Sequence, residues 1–183
     1  PPATIRRQRQ MCIRDRSTGI VTVADTSAID YETATTCYVV VRATSADGST
    51  ADTNFSISIT DADEFDVGTV ADTDSDANTL AESVSNGASA EIAASATDAD
   101  GTTNTVTYAI TAQSCAGAFA IDSGSGAVTV SDTSAIDYET ATSCTITVTA
   151  TSADGSTSDT TFTVTITDVD EFDVGTPVDT NSN

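Results

Sequence analysis

Apolar and hydroxyl side chains alternate strictly along several short stretches of this chain. Ile146, Val148 and Ala150 are separated by threonines, and the same alternation recurs at 105–110 and 161–167. A period of two places apolar side chains on one face of a β-strand and polar side chains on the other. These stretches therefore predict strands of a sheet that is buried on one face and solvated on the other.

Four further short strands are predicted at 80–83, 90–97, 118–122 and 127–130. The segment Ser123–Gly126 between the last two is rich in Ser and Gly, which is typical of a turn. Seven short strands in about 100 residues, with no helical period, are typical of a sandwich. The sequence therefore predicts an all-β, immunoglobulin-like Greek-key sandwich.

The chain contains an internal repeat. The string Thr-Ser-Ala-Ile-Asp-Tyr-Glu-Thr-Ala-Thr begins at Thr26 and again at Thr133, an offset of 107 (133 − 26). The string Glu-Phe-Asp-Val-Gly-Thr begins at Glu64 and Glu171 with the same offset. A period of this length corresponds to a whole domain. We expect 17–71 to be the C-terminal half of a truncated copy, 72–175 a complete copy, and 176–183 the start of the next linker.

The N-terminal segment differs from the rest of the chain. All six basic residues are arginines, and five of them lie in the first 16 positions. Residues 5–16 resemble the translation of a transposon adapter used for sequencing libraries, because the codons CGT CGG CAG CGT CAG ATG TGT ATA AGA GAC encode Arg6–Asp15 in order. A basic tail that binds an anionic surface is the alternative. We expect 1–16 to be an unstructured artefact.

The charge and composition exclude several function classes. With 28 acidic and 6 basic residues the net charge is −22, which disfavours nucleic acid and anionic membranes as partners. No apolar run is long enough to insert into a membrane. The absence of His and Lys removes Ser-His-Asp triads, imidazole zinc sites and Schiff-base chemistry. We therefore predict that the chain is not an enzyme. Bound cations or solubility at high salt better explain so many carboxylates.

Acidic residues cluster outside the strand interiors, at positions that recur with the repeat. Two carboxylates at alternating positions point the same way and can share a hard cation. Calcium takes about 6–8 oxygen ligands, so several such clusters must converge on one ion. A solvated acidic face is the alternative. The clusters are Asp30 and Glu32; Asp61, Asp63 and Glu64; Asp98 and Asp100; Asp137 and Glu139; and Asp168, Asp170 and Glu171.

These motifs resemble cadherin repeats in their bacterial form, over nearly the whole complete copy. The resemblance rests on Ala81–Ser83, Ala96–Gly101, Phe119–Asp122, Ile136–Glu139 and Asp168–Glu171. It implies Ca²⁺ sites between consecutive domains. One implied ligand set is Asp30, Glu32, Asp61, Asp63, Glu64, Asp98, Asp100 and the backbone carbonyl of Asn104. The other is Glu82, Asp137, Glu139, Asp168, Asp170 and Glu171, completed by a following domain.

The chain departs from the family pattern in two places. The closing motif reads Asp-Glu-Phe-Asp-Val in place of Asn-Asp-Asn-x-Pro, and Ser152 stands where the family has an Asp. Serine is a poorer ligand, so the resemblance does not extend to every ion usually bound at a junction. The segment Asp72–Asn78 also alternates acids, but Ala77 and Ser83 replace the Gly and Glu of a helix–loop–helix calcium loop. A polar linker is the favoured interpretation of that segment.

The cysteines suggest one disulfide. In such a sandwich Cys115 follows the third strand and Cys144 begins the sixth, and these strands are antiparallel neighbours. A Cys115–Cys144 disulfide would fit an oxidising, extracellular location, and a pair of buried thiols is the alternative. Cys37 is the repeat equivalent of Cys144, but position 8, the equivalent of Cys115, is a glutamine in the adapter-like segment.

The resemblance implies a calcium-binding, calcium-rigidified extracellular repeat of a large cell-surface adhesin. Its implied partners are neighbouring repeats of the same chain, with a cell-surface protein or glycan as a further candidate partner. The alternatives are an accessory repeat of a secreted hydrolase and a calcium-dependent glycan-binding module.

Overall fold

The structure, a computed structural model, describes residues 12–14 and 19–171. It divides into two compact units: the first runs to Glu64 and also takes Asp100–Thr102, and the second takes the other residues from Phe65 onward. The boundary precedes the predicted one at residue 71 because Val67 and Val70 are buried in the core of the second unit. The predicted end of the complete copy and the linker at 176–183 lie outside the described residues.

The first unit contains two antiparallel two-stranded sheets. A single 3₁₀ turn, Thr26–Ala28, links them, and the Asp25 side chain accepts a hydrogen bond from the Ser27 amide at its start. The strands are β1 (Cys12–Arg14) paired with β2 (Val21–Val23), and β3 (Thr36–Thr44) paired with β4 (Thr50–Ser58).

Strand β1 lies inside the segment predicted to be unstructured. Cys12 pairs with Val23 and Arg14 pairs with Val21, so for these three residues the prediction does not hold. The physical reason is that an open strand edge offers backbone donors and acceptors to any extended neighbour. The other residues of 1–16 lie outside the described part of the chain, and the adapter interpretation stays a prediction.

The second unit forms two four-stranded sheets with strand orders β5-β7-β10-β9 and β6-β12-β11-β8. All pairings are antiparallel except that of β6 with β12, which is parallel. The predicted all-β sandwich is confirmed. The strands are β5 (Ala71–Asp72), β6 (Thr79–Ala81), β7 (Ser89–Ser95), β8 (Val106–Gln113), β9 (Phe119–Ile121), β10 (Ala127–Val130), β11 (Ser143–Ser152) and β12 (Thr157–Thr167).

The core of the second unit follows the predicted alternation. Ile146 and Val148 of β11 are fully buried, and the threonines between and beside them lie on the outer face. They pack with Val164 of β12 and with Ile92 and Val128 of the other sheet. Burial of alternate side chains fixes the register, since a shift by one residue would expose the whole apolar set.

A disulfide joins Cys115, in the loop after β8, to Cys144 at the start of β11, with a Cα–Cα distance of 5.5 Å. Both cysteines belong to the buried core. The bond ties the end of β8 to the neighbouring strand of the same sheet.

Candidate metal centre

Each unit contains the same acidic turn. In the second unit the turn follows the 3₁₀ turn Thr133–Ala135, and Asp137 accepts hydrogen bonds from the Thr140 amide (3.1 Å) and hydroxyl (2.8 Å). In the first unit Asp30 accepts the same pair from Thr33 at the same distances. These bonds close the turn and stabilise the carboxylates, which is why the pKa values of Asp30 and Asp137 are lowered.

In the second unit three glutamates converge beyond the end of β12. Oxygens of Glu82, Glu139 and Glu171 lie within 4.8 Å of one another. The parallel pairing of β6 with β12 aligns Ala81 with Thr167, so Glu82 begins beside the segment that leads to Glu171.

Two backbone amides orient the Glu82 carboxylate. The Tyr138 amide donates to Oε2 at 2.7 Å, and the Val169 amide donates to Oε1. Tyr138 belongs to the acidic turn and Val169 to the closing motif, so one carboxylate connects the two segments that carry Glu139 and Glu171. The glutamate cluster is therefore a hydrogen-bonded arrangement rather than a loose group of exposed acids.

The glutamate cluster is strongly acidic, and the part of the chain that the structure describes places no basic side chain within it. Burial raises the pKa of Glu171 above its ordinary value, and the charges of Glu82 and Glu139 raise it further. Arg42 is the one basic residue after position 16 in the sequence, and its guanidinium pairs with Asp52 at 2.6 Å. Residues 19–171 therefore supply no positive side chain to neutralise the three glutamates.

The first unit contains a related cluster, whose third member, Asp61, is the repeat equivalent of Asp168 and not of Glu82. Oxygens of Glu32, Asp61 and Glu64 lie within 4.8 Å of one another. Glu32 and Glu64 are the repeat equivalents of Glu139 and Glu171. The Gly101 amide donates to Glu32 Oε1 at 3.0 Å, and the Thr102 hydroxyl donates to Asp61 Oδ2 at 2.5 Å.

The carboxylates of the first unit also repel one another. Burial raises the pKa of Glu64, and the charges of Asp100, Asp61, Asp30 and Asp63 add to the effect. A backbone hydrogen bond is the largest single influence on Glu32 and lowers its pKa, but burial, Asp61 and Glu64 together outweigh it and the pKa is raised.

Gly101 is required for the close approach of this segment. A Cβ at position 101 would lie 2.6 Å from the Tyr31 ring and 2.8 Å from Glu32 Oε1. Asp100, directly before it, is 1% exposed. Any larger residue at position 101 would therefore push the Glu32 carboxylate away from its present position.

The structure brings together some of the predicted ligands and not others. Glu32, Asp61 and Glu64 form one cluster, and Glu82, Glu139 and Glu171 form another. Asp30 and Asp137 close turns in this structure. Asp63, Asp168 and Asp170 are exposed, Asp98 is half-buried in the second unit, and Asn104 is exposed there. The complete ligand sets stay predictions.

A third acidic group combines Glu91, which the sequence reasoning missed, with two acids of the segment Asp72–Asn78. Oxygens of Asp74, Asp76 and Glu91 lie within 4.8 Å of one another. Glu91 is in the middle of β7, outside the acidic motifs, and has a φ of 54°. The Asp72 carboxylate closes the adjacent loop by accepting from the amides of Asp74 and Ala93, both at 3.0 Å. The positions of these residues are compatible with the predicted polar linker.

Ser152, which replaces a family Asp, has a structural role. It is buried, and its hydroxyl donates to the Thr103 carbonyl at 2.9 Å. Its amide donates to the Ser156 carbonyl at 3.0 Å, which closes the β11–β12 turn. The side chain thus ties this turn to the loop before β8.

The two clusters fit a hard divalent cation. Carboxylate oxygens are the ligands that Ca²⁺ prefers, and three converging carboxylates supply roughly half of a 6–8 oxygen shell. In the first unit Asp61 Oδ1 is buried and accepts no hydrogen bond from the described residues. A buried, unsatisfied anionic oxygen is costly, and a cation is the partner that would relieve it.

Among the described residues there is no helix with the length and hydropathy of a membrane-crossing segment.

Comparisons with known proteins identify the family. A family model described as the cadherin domain matches residues 76–167. No curated protein sequence matches the chain. The structure is similar to mouse cadherin-23 EC22–24 (TM-score 0.69, 22% identity, covering 88% of this chain and 51% of that one). It is also similar to protocadherin Gamma B2 extracellular cadherin domains 3–6 (TM-score 0.68, 22% identity, 87% and 37%).

Human protocadherin-24 EC1–2 is a third similar structure (TM-score 0.67, 16% identity, covering 87% of this chain and 77% of that one). Identities this low establish the fold alone, and the chain spans about half or less of the first two neighbours. The family assignment therefore rests on the match to the cadherin-domain model. The chain belongs to the cadherin family, whose domains are extracellular, non-enzymatic adhesion modules that typically bind Ca²⁺.

Proposed function

We propose that this chain is a calcium-rigidified repeat module of a large cell-surface adhesin, with an adhesive or spacer role. Its main partners are neighbouring repeats of the same chain. The proposal rests chiefly on one observation: Glu139 and Glu171 of the glutamate cluster converge with a third carboxylate, and their repeat equivalents Glu32 and Glu64 do the same in the first unit. Acids on a merely solvated face have no reason to converge twice at the same positions of a repeat.

Electrostatics supports a role for Ca²⁺ in stiffness. Without a cation, the carboxylates of each cluster repel one another, as the raised pKa values of Glu64 and Glu171 indicate. A bound Ca²⁺ offsets this repulsion and crosslinks segments that are distant in sequence: the Glu82 region, the acidic turn and the closing motif. We propose that this holds each repeat end rigid and so stiffens the connection to the next repeat.

Isothermal titration of the full chain with CaCl₂ after chelator treatment tests the proposal. We expect heat of binding, a higher melting temperature in millimolar Ca²⁺ and weaker binding of Mg²⁺, which requires closer octahedral geometry. Small-angle scattering should show a narrower range of conformations with Ca²⁺.

The matched variants are Glu171→Gln, inside the glutamate cluster, and Asp159→Asn, on the outer face of β12 eight residues before its last residue. Each removes one negative charge. Glu171→Gln should weaken binding, whereas Asp159→Asn should leave it nearly unchanged. Equal effects would mean that Ca²⁺ responds to overall charge. Identical melting and scattering in chelator and in Ca²⁺ would refute the proposal.

A further inference from the structure

The two copies of the repeat differ most on one face of strand β3. Tyr38, Val40 and Arg42 stand at alternate positions of β3, and the second copy has a threonine at each equivalent position. The acidic turn and the 3₁₀ turn before it, by contrast, are identical in the two copies. The substitutions therefore change a surface that the turns and the acidic clusters do not use.

In the complete repeat this face belongs to the outside of the sandwich. Ile146, the equivalent of Val39, is 0% exposed, whereas Thr145 beside it, the equivalent of Tyr38, is exposed. In the first unit Tyr38 is 77% exposed and Val40 is 61% exposed. Their exposure is therefore that of an outer sheet surface, which stays open when all strands of a repeat are present.

Strand β4 places polar groups beside this row. Asn54 lies directly opposite Val40, and Asp52 lies directly opposite Arg42. The Arg42 Nε and Nη2 groups donate to Asp52 Oδ1 at 2.7 Å and Oδ2 at 2.6 Å, so the pair is bidentate and planar. Its two side chains remain 65% and 41% exposed. The outer face of the hairpin, defined by Tyr38, Val40, Arg42, Asp52 and Asn54, thus combines an aromatic ring, an amide and a planar ion pair.

The size and charge of the outer face favour a small neutral ligand. Tyr38 and Arg42 are four residues apart, so the row is about 13 Å long, and the two strands are about 5 Å apart. A protein partner in a stable complex buries about 800 Å² on each side, several times the area that this row offers. The Arg42 charge is offset by Asp52, and the net charge of −22 repels anionic ligands.

We propose that the outer face of the hairpin binds a neutral glycan with flat rings, such as β-1,4-linked glucose, without calcium. One sugar ring stacks on Tyr38 and the next lies over Val40, while Asn54 and the Arg42–Asp52 pair hydrogen-bond to hydroxyls at the ring edges. A tyrosine on an open sheet has no pocket walls around it, so its main contact is with the ring face of the sugar. In β-1,4-linked glucose that face carries C–H groups, and the hydroxyls project from the edges.

This inference rests on the adhesive role in the proposed function, to which it adds a ligand, but it does not rest on calcium. None of the five side chains of the outer face belongs to an acidic cluster. The glycan inference and the calcium proposal therefore fail separately, and the glycan experiment is done in chelator.

The probe is cellotetraose, titrated into the ¹⁵N-labelled full chain in chelator and followed by amide NMR shifts. We expect saturable shifts at Tyr38, Val40, Asp52 and Asn54, with the same affinity in millimolar Ca²⁺. A β-1,4-linked glucuronate tetrasaccharide is the matched anionic probe. It should bind at least about tenfold more weakly, because the acidic chain repels it.

The second copy supplies a substitution that this fold already accepts. Tyr38→Thr, a change to the residue type of the second copy, should weaken binding of cellotetraose at least about fivefold. Tyr38→Phe keeps the ring and should bind within about twofold of the unsubstituted chain.

The second unit provides the reciprocal test, because Asp159, the equivalent of Asp52, is exposed there. A variant with the outer residues of the first copy should gain cellotetraose-dependent shifts in β11 and β12. Its substitutions are Thr145→Tyr, Thr147→Val, Thr149→Arg and Thr161→Asn.

Absence of shifts with cellotetraose on the unsubstituted chain would overturn the inference, and this result does not depend on how any variant folds. Binding that disappears in chelator would also overturn it. So would a chain that sediments as a dimer and becomes a monomer with Tyr38→Thr, because the face would then belong to a second copy. Binding in chelator by a chain whose melting is unchanged by Ca²⁺ would support the inference and refute the calcium proposal alone.

Discussion

Loss of the Cys115–Cys144 disulfide is expected to destabilise the second unit substantially. The bond closes a loop with a sequence separation of 29 residues. In the chain-entropy model, closing a loop of this length raises the free energy of the unfolded chain by about 3.6 kcal/mol at 25 °C. Cys144 is 0% exposed, so reduction tests the crosslink with little change in packing, whereas truncation to Ala would add the cost of a cavity.

The measurement is urea unfolding of the oxidised and the reduced chain, both in chelator so that metal binding does not contribute. A background of Cys12→Ser and Cys37→Ser prevents disulfide exchange. The buried Tyr108 provides a spectroscopic signal from the second unit. The reduced chain should unfold at lower urea with a larger m value, because its unfolded state is less compact.

A thiol titration before reduction separates the two ways in which this reasoning can fail. Only Cys115 and Cys144 remain in this background. Two reactive thiols before reduction would therefore show that the bond does not form. An intact bond whose reduction changes the free energy of unfolding by less than about 1 kcal/mol would refute the loop-closure argument, since the model requires several times that value.

Three further predictions follow from the local geometry. Gly126→Ala should destabilise the second unit by more than about 2 kcal/mol in thermal unfolding, because Gly126 has a φ of 72° and a Cβ there would lie 2.0 Å from the Ala94 carbonyl oxygen. The control is Gly155→Ala, at a residue with a φ of 97° and no atom near the new Cβ, and it should cost roughly 1 kcal/mol. Gly101→Ala should lower Ca²⁺ affinity in calorimetry by about tenfold by displacing a ligand, and unchanged affinity would contradict that role. The pKa of Glu171 is raised from 4.5, so in chelator the folded state binds more protons than the unfolded state from pH 4.5 up through the raised value. Melting temperature should therefore fall as pH rises through that window, and Glu171→Gln should make this fall smaller, while the raised pKa values of Glu32 and Glu64 keep part of it.

The sandwich could be predicted because its strands are buried on one face. Ile146 and Val148 alternate with threonines, and that period of two fixes which side chains enter the core. Strand β1 could not be predicted in the same way. Its pairing depends on the open edge of β2 and not on its own sequence, since an edge accepts any extended neighbour.

The candidate site could be predicted in part. Recurrence and the cadherin resemblance selected Glu139 and Glu171, which the structure places together with Glu82. The turn-closing bonds of Asp137 were not foreseen, although Asp followed three residues later by Thr is a local signal for such a cap. Nothing in the sequence singles out Glu91, because the neighbours of one acidic residue within a strand depend on how the strands pair.

Stability without metal and sensitivity to metal are opposed in this chain. The carboxylates of Glu82, Glu139 and Glu171 are close enough to share an ion, and the same closeness makes them repel one another when no ion is bound. An arginine among them would relieve the repulsion but would occupy the position of the cation, and the single arginine after position 16 pairs elsewhere, with Asp52. Under the proposed function, a repeat built in this way depends on the surrounding Ca²⁺ concentration for its rigidity. Substitutions that neutralise the cluster should therefore stabilise the metal-free chain and weaken its response to calcium.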